Sequence, residues 1–446
     1  MRERISAVWR LESARIVAAV ARRVQDLGVA EELAQDALVA ALERWPGEGV
    51  PENPAAWLMT TACNRALDHL RHRQMAHARH EELAQDLDAR EALVVPDFVD
   101  ALDAARQDEI GDDLLRLVFT ACHPVLSPDA RVALTLKLLG GLSTHEIARA
   151  CLAPEPTIAQ RIVRAKRQLA EARVPFELPR GVVLGERLAS VLEVIYLIFN
   201  EGYTATRGDD WMRPALCDEA LRLGRMLAEL ALDLPEVHGL VALMEIQASR
   251  TAARTDAEGR PVLLTEQNRA RWDHLLIRRG LAALARARQA CQAQGLAPGS
   301  YQLQGEIAAC HARAARAEDT DWPHMAALYV ELMRVAPSPV VELNRAVAVS
   351  MAEGPQAGLN VLAPLLANPA LKRYHWLPAV EADLLRRLGR KQAAHEALLR
   401  AAALAGNARE QALLRQKAAD LAADLAADLA AELSAQRTDL PDNLAP

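Results

Sequence analysis

"PTIAQRIVRAKRQLAEA", residues 156–172, decides how this chain is read. Ile158, Ile162, Ala165 and Leu169 recur at helical spacing, while Thr157, Gln160, Arg161, Arg164 and Gln168 form a polar stripe beside them. A helix with one apolar and one basic face either lies on a solvated surface or meets a polyanion, and taken alone the first is commoner. The residues before it tip the balance. In "GLSTHEIARACLAPEP", 141–156, Ser143 and Glu146 make an S-x-x-E capping box, so a helix starts there and yields at the prolines to the second.

Two helices joined by a tight turn, the second rich in arginine and short polar side chains, predict a helix-turn-helix. Its first turns are placed to meet base edges. Thr157, Gln160 and Arg161 suit base and near-base contacts; Arg164, Lys166 and Arg167 suit phosphates, which position without reading sequence. Pro154 and Pro156 fit the helix entrance, where a missing N–H does least harm.

The whole chain supports a helical reading. Of its 446 residues 51% are hydrophobic, enough to build ordinary cores in two to four domains. Alanine, leucine, arginine and glutamate dominate and alternating Val-Ile-Thr runs are nearly absent, so the expected fold class is all-α. A formal net charge of −7 excludes a generally basic nucleic-acid coat and confines DNA contacts to local patches. No apolar run approaches a membrane span, and "MRERISAVWRLESARIV" lacks the apolar core of a secretory signal, so a cytoplasmic protein is expected. Cys63, Cys122, Cys151, Cys217, Cys291 and Cys310 form no C-x-x-C pair, so neither zinc site, disulfide nor other cofactor is expected. Cys122, beside His123, reads as a buried thiol at a helix end rather than a nucleophile.

Composition divides the chain. Residues 1–80 form a helical domain of balanced charge, 81–111 an acidic linker with a Pro-Asp break, and 112–174 the helix-turn-helix domain. "VPFELPRG" then signals a domain junction before a helical extension over 180–434, and 435–446 read as a flexible tail. From about residue 300 the extension looks like stacked helical hairpins. "VELNRAVAVSMAEGPQAGLNVLAPLL" and "PAVEADLLRRLGRKQAAHEALLRAAA" superpose with Gly354 over Gly389, at an offset close to the ~34-residue tetratricopeptide period. The repetitive "AADLAADLAADLAAEL" reads as helix, either docked or free.

A second basic helix lies upstream. "NPAAWLMTTACNRALDHLRHRQ", 53–74, starts with Asn53 as N-cap and Pro54 at the first helical position. Its spacing predicts an apolar stripe of Met59, Cys63, Ala66 and Leu70, with Asn64, Arg65 and Asp68 on another face and Arg71 near the end. "EELAQDALVAALERW", then this helix, then the linker, then "LSTHEIARACLAPEPTIAQRIVRAKRQL" resemble regions 2 and 4 of sigma-70 family sigma factors of the extracytoplasmic-function group. The resemblance covers about the first 175 residues, and the long extension is similar to that of a subgroup with a C-terminal tetratricopeptide-like domain. Two departures stand out: the turn is proline-rich where the family favours glycine and serine, and Ala159 stands where many members have lysine. Both bear on base preference rather than docking.

The resemblance implies a non-enzymatic protein that binds core RNA polymerase and promoter DNA. It assigns Glu32, Gln35, Asp36 and Glu43 to polymerase, with Leu33, Ala37, Val39 and Leu42 expected in the core. It assigns Asn64, Arg65, Asp68 and Arg71 to the −10 element, with Trp57 either stacking a base or, by preference, partly core. The helix from Pro156 to Leu169 is assigned to the −35 major groove.

In the extension, no phosphate loop, H-E-x-x-H or nucleophile elbow points to an enzyme. "VIYLIFNEGYTATRGDDW" gathers Asn200, Glu201, Tyr203, Asp209 and Trp211 as either a pocket or, by preference, a packed interdomain loop. Helical repeats also suit a peptide or protein partner. Two other classes stay open: a polymerase-independent helix-turn-helix regulator with a helical sensor domain, and a helical-repeat scaffold.

Overall fold

A computed structural model describes residues 2–82, 103–151, 153–204, 212–257 and 260–438. Among them helices alternate with turns and short 3₁₀ segments, and the only pairing of extended backbone is a bridge between Thr255 and Pro261. The chain is all-α. It divides into two compact units, residues 1–198 and 199–446.

In the first unit α1 (Arg2–Val24), α2 (Leu27–Glu48) and α3 (Pro54–Glu82) pack against one another. Asp26 caps α2 by accepting from the Gly28 and Val29 amides at 2.8 and 3.0 Å. Asn53 caps α3 as its sequence predicts, accepting from the Ala56 amide at 3.0 Å. Alanine makes much of this core: Ala30, Ala34, Ala37 and Ala41 of α2 and Leu58, Ala62 and Ala66 of α3 are all buried, together with Trp45, and the two helices pack against each other. Small side chains let the helix axes approach closely.

Next come α4 (Asp103–Ala121), α5 (Pro128–Leu138), α6 (Thr144–Ala150) and α7 (Glu155–Glu171). Helix α3 ends just inside the acidic stretch and α4 begins within it, leaving residues 83–102 outside the described ones. The predicted capping box is formed: the Glu146 amide donates to Ser143 Oγ at 3.1 Å and the Ser143 amide to Glu146 Oε2 at 2.8 Å. Ile158, Ile162, Ala165 and Leu169 of α7 are all buried, which holds α7 against α5 and α6. The first part of α8 (Gly181–Tyr203) belongs to this unit. Arg187 donates to the Phe119 carbonyl at 2.7 Å, and Arg131 reaches Glu193 at 2.9 Å. The boundary between the units therefore falls inside α8, beyond the proline-rich connector.

In the second unit α10 (Pro235–Ala248) is buried nearly all round, between α9 (Pro214–Leu230), α11 (His274–Gln294) and α12 (Ser300–Arg313). Hairpins follow: α12 with α13 (Trp322–Val335), α14 (Pro339–Glu353) with α15 (Pro355–Leu362), and α16 (Trp376–Arg387) with α17 (Lys391–Leu404). Gly354 and Gly389 turn the last two with φ of 102° and 77°, which explains why they superpose in sequence. The repetitive tail is α18 (Ala408–Thr438); it docks on α17 through Leu414, Ala418 and Leu421.

Candidate nucleic-acid and polymerase interface

On α7 the buried stripe fixes which side chains stay outside. Gln160, Arg164 and Arg167 are exposed, Arg167 facing Glu171 at 3.4 Å. Thr157 is half-buried at the helix entrance. Arg161 turns to Asp129 at 3.0 Å, and Lys166 is drawn away from the open face into an ion pair with Glu31 of α2. Sequence reasoning passed over Val163, which is 65% exposed between Gln160 and Arg164. Its signal was legible: it falls outside the Ile158–Leu169 stripe, and an apolar side chain on a reading face suits a thymine methyl.

On α3 the apolar stripe is shifted by one residue from the expected one. Leu58, Ala62 and Ala66 are buried, whereas Met59, Cys63 and Leu70 are half-buried. Asn64, Asp68 and Arg71 are exposed, the last two 3.3 Å apart, and Arg65 reaches Asp36 of α2 at 3.1 Å. Trp57 is half-buried, edge-on to buried Trp45 with centroids 5.4 Å apart.

Glu32, Gln35, Asp36 and Glu43 lie exposed on α2. Val39 and Leu42, expected in the core, are instead 49% and 37% exposed on that same stripe, because alanines fill the buried face. The result is an acidic and amide stripe with an apolar centre.

In the extension Asn200, Glu201 and Tyr203 are half-buried. Glu201 pairs with Arg213, Tyr203 stacks on Phe199 at 5.5 Å, and the Arg254 guanidinium lies 3.5 Å above the Tyr203 ring. These contacts are those of a packing anchor; Asp209 and Trp211 lie outside the described residues. A 680 Å³ cavity beside Cys217, Arg225 and Arg271 and a 520 Å³ groove beside His375, Trp376 and Glu410 both avoid Asn200, Glu201 and Tyr203. Burial, aided by Arg250 and Arg269, depresses His311 to about 3, and burial beside Arg187 depresses His123 to about 4. Burial raises the Cys122 thiol to about 11, away from nucleophilic use. Among the described residues no cluster of His, Cys, Asp or Glu could hold a metal ion, and no helix is long and apolar enough to cross a membrane.

The family model for sigma-70 region 2 matches residues 10–75, and that for sigma-70 region 4 matches 116–169. These spans hold most of α3 and α7, including their exposed polar residues. The chain belongs to the extracytoplasmic-function group of the sigma-70 family. A probable extracytoplasmic-function sigma factor, SigI of Mycobacterium tuberculosis, is 29% identical over 38% of this chain and 56% of its own length. A probable sigma-C factor of Mycobacterium bovis is 28% identical over 35% of this chain and 76% of its own. An uncharacterized protein of Rhizobium meliloti is 44% identical over 91% of this chain and 92% of its own length. Residues 187–288 match a family of unknown function, DUF6596. No solved structure matches the chain. Sigma factors are non-enzymatic, and membership assigns a role in transcription initiation with core RNA polymerase and promoter DNA as partners.

Proposed function

We propose that this sigma factor grips core RNA polymerase through the α2 stripe of Glu32, Gln35, Asp36, Val39, Leu42 and Glu43. It works in the cytoplasm, setting α3 on the −10 element through Asn64, Arg65, Asp68 and Arg71 and α7 in the −35 major groove. There Gln160, Val163 and Arg164 meet base edges, Thr157 and Arg161 act at the helix entrance, and Arg167 meets phosphate. The tetratricopeptide-like extension regulates initiation in cis or through a peptide partner.

The observation that carries this reading is the shared exposed face of Gln160, Val163, Arg164 and Arg167 on a helix whose opposite stripe is buried. Transcription in vitro with core polymerase tests it. Full-length protein should support initiation from particular sequences, and omission of polymerase should abolish specific promoter occupancy. Equal promoter binding without polymerase would favour a stand-alone regulator instead.

A further inference from the structure

Within the extension, arginines gather around two aromatic rings at the segment that joins α10 to α11. The Arg250 guanidinium lies 5.8 Å from the Tyr203 ring centroid and 6.0 Å from that of Trp272, and the Arg269 guanidinium lies 4.8 Å from the same Trp272 ring. Arg269 commits its terminal nitrogens to the turn that follows α12. Its Nη1 donates to the His311 carbonyl and to that of Ala314 at 2.7 Å, and its Nη2 to Thr320 Oγ1 at 3.3 Å. The Arg269 Nε–H is buried and finds no acceptor.

Arg250 is less satisfied still. Among the described residues its side chain takes part in no hydrogen bond or ion pair, and its Nε is buried. Trp272, 4% exposed, likewise buries an indole N–H that meets no acceptor. Glu318 and Asp319 act on Arg269 through space, and neither bonds to it. Burial lowers the pKa of Arg254 and Arg269, and the neighbouring Arg250 charge lowers both further, the mark of crowded like charge. A guanidinium stays protonated even so. A desolvated cation with neither acceptor nor counter-ion is disfavoured, and stacking on a ring offsets only part of that cost. Orphaned buried donors of this kind are where bound ions are found.

We propose that Arg250, Arg269 and Trp272 form a binding site for a phosphate-type oxyanion, free or esterified, in the helical extension. Both arginines are half-buried, so the anion approaches them from solvent. A phosphate group brings up to about two negative charges and at least three acceptor oxygens, which suits two cations and an indole donor. A carboxylate, with a single charge and two oxygens, leaves one of the cations uncompensated. Because Arg269 already holds the turn after α12, an anion shared between Arg250 and Arg269 ties the end of α10 to that turn. The extension then senses a phosphate compound through the packing of its own helices, however α7 meets DNA.

Titration calorimetry of the full chain with inorganic phosphate and with glycerol 3-phosphate, in chloride of matched ionic strength, tests the site. Saturable binding of one anion per chain is expected, and acetate should not compete. Arg250→Met keeps the aliphatic stem and removes the charge. It should bind phosphate about tenfold more weakly or worse, yet melt at or above wild type in chloride alone, because an uncompensated cation is gone. A merely structural arginine would lower that melting temperature. Arg286→Met, an exposed change on α11, should alter neither property. In wild type the Trp272 indole N–H resonance, assigned through Trp272→Phe, should shift as phosphate is added, which decides the matter should Arg250→Met fold poorly. Tighter binding of glycerol 3-phosphate than of phosphate would mark an esterified ligand, and the reverse the free ion. No saturable binding of either probe, equal competition by acetate, an unmoved Trp272 resonance, or unchanged phosphate affinity in folded Arg250→Met would overturn the site.

Discussion

Arg65 of α3 and Asp36 of α2 face each other at 3.1 Å, although one is assigned to promoter DNA and the other to polymerase. Both side chains are substantially exposed, so the pair contributes little to stability. Its interest lies in adjacency: the two candidate partner surfaces meet at this pair, and a polymerase group taking Asp36 frees the Arg65 guanidinium.

Charge reversal of Asp36 should therefore weaken core polymerase binding by about 1 to 2 kcal/mol, the range of a moderately important interface residue. Helicity and melting temperature should stay near wild type. Titration of labelled core polymerase checks this, and unchanged affinity would remove Asp36 from the interface.

Val39→Ala and Leu42→Ala make a second test on the same stripe. Ordinary core positions lose 2 kcal/mol or more on deep truncation, but these exposed side chains should cost less than about 0.5 kcal/mol of folding stability. Holoenzyme affinity should nonetheless fall severalfold.

On α7, Gln160→Ala and Arg164→Ala should each lose about 1 to 3 kcal/mol of discrimination at a single −35 position. Arg167→Ala should weaken all sequences alike and reduce the salt slope by about one. Selection from a randomised −35 library separates the two behaviours. Replacing thymine with deoxyuridine at each position should expose a methyl dependence that Val163→Ala abolishes.

The extension should be acid-sensitive through His311. Its folded pKa of about 3 lies below the ordinary 6.5, so between those values the unfolded chain binds the proton that the folded one refuses. This contribution is fully present above pH 6.5 and is lost as pH falls towards 3. Urea unfolding at pH 7 and pH 5 should show the loss, and His311→Gln should flatten it.

Local chemistry made much of this molecule legible in its sequence. The caps at Asn53 and Ser143 and the α7 stripe were readable because a cap and its acceptor lie within one turn, and because large apolar residues mark the buried face. In α2 and α3 the same rule misplaced Val39, Leu42, Met59 and Cys63. Their buried faces are largely alanine, which packs closely yet carries little hydrophobic signal. The Glu31–Lys166 pair was not readable, since nothing local tells a lysine on a basic face that its partner belongs to another domain.

The most direct test is transcription in vitro from a random-sequence promoter library, using core polymerase with and without the full-length protein and mapping RNA 5′ ends. Protein-dependent starts should lie downstream of two motifs at −10 and −35 spacing, and Arg164→Ala should alter preference in the upstream motif alone. Absence of protein-dependent starts from an assembled holoenzyme, or a change confined to the downstream motif, would contradict the account.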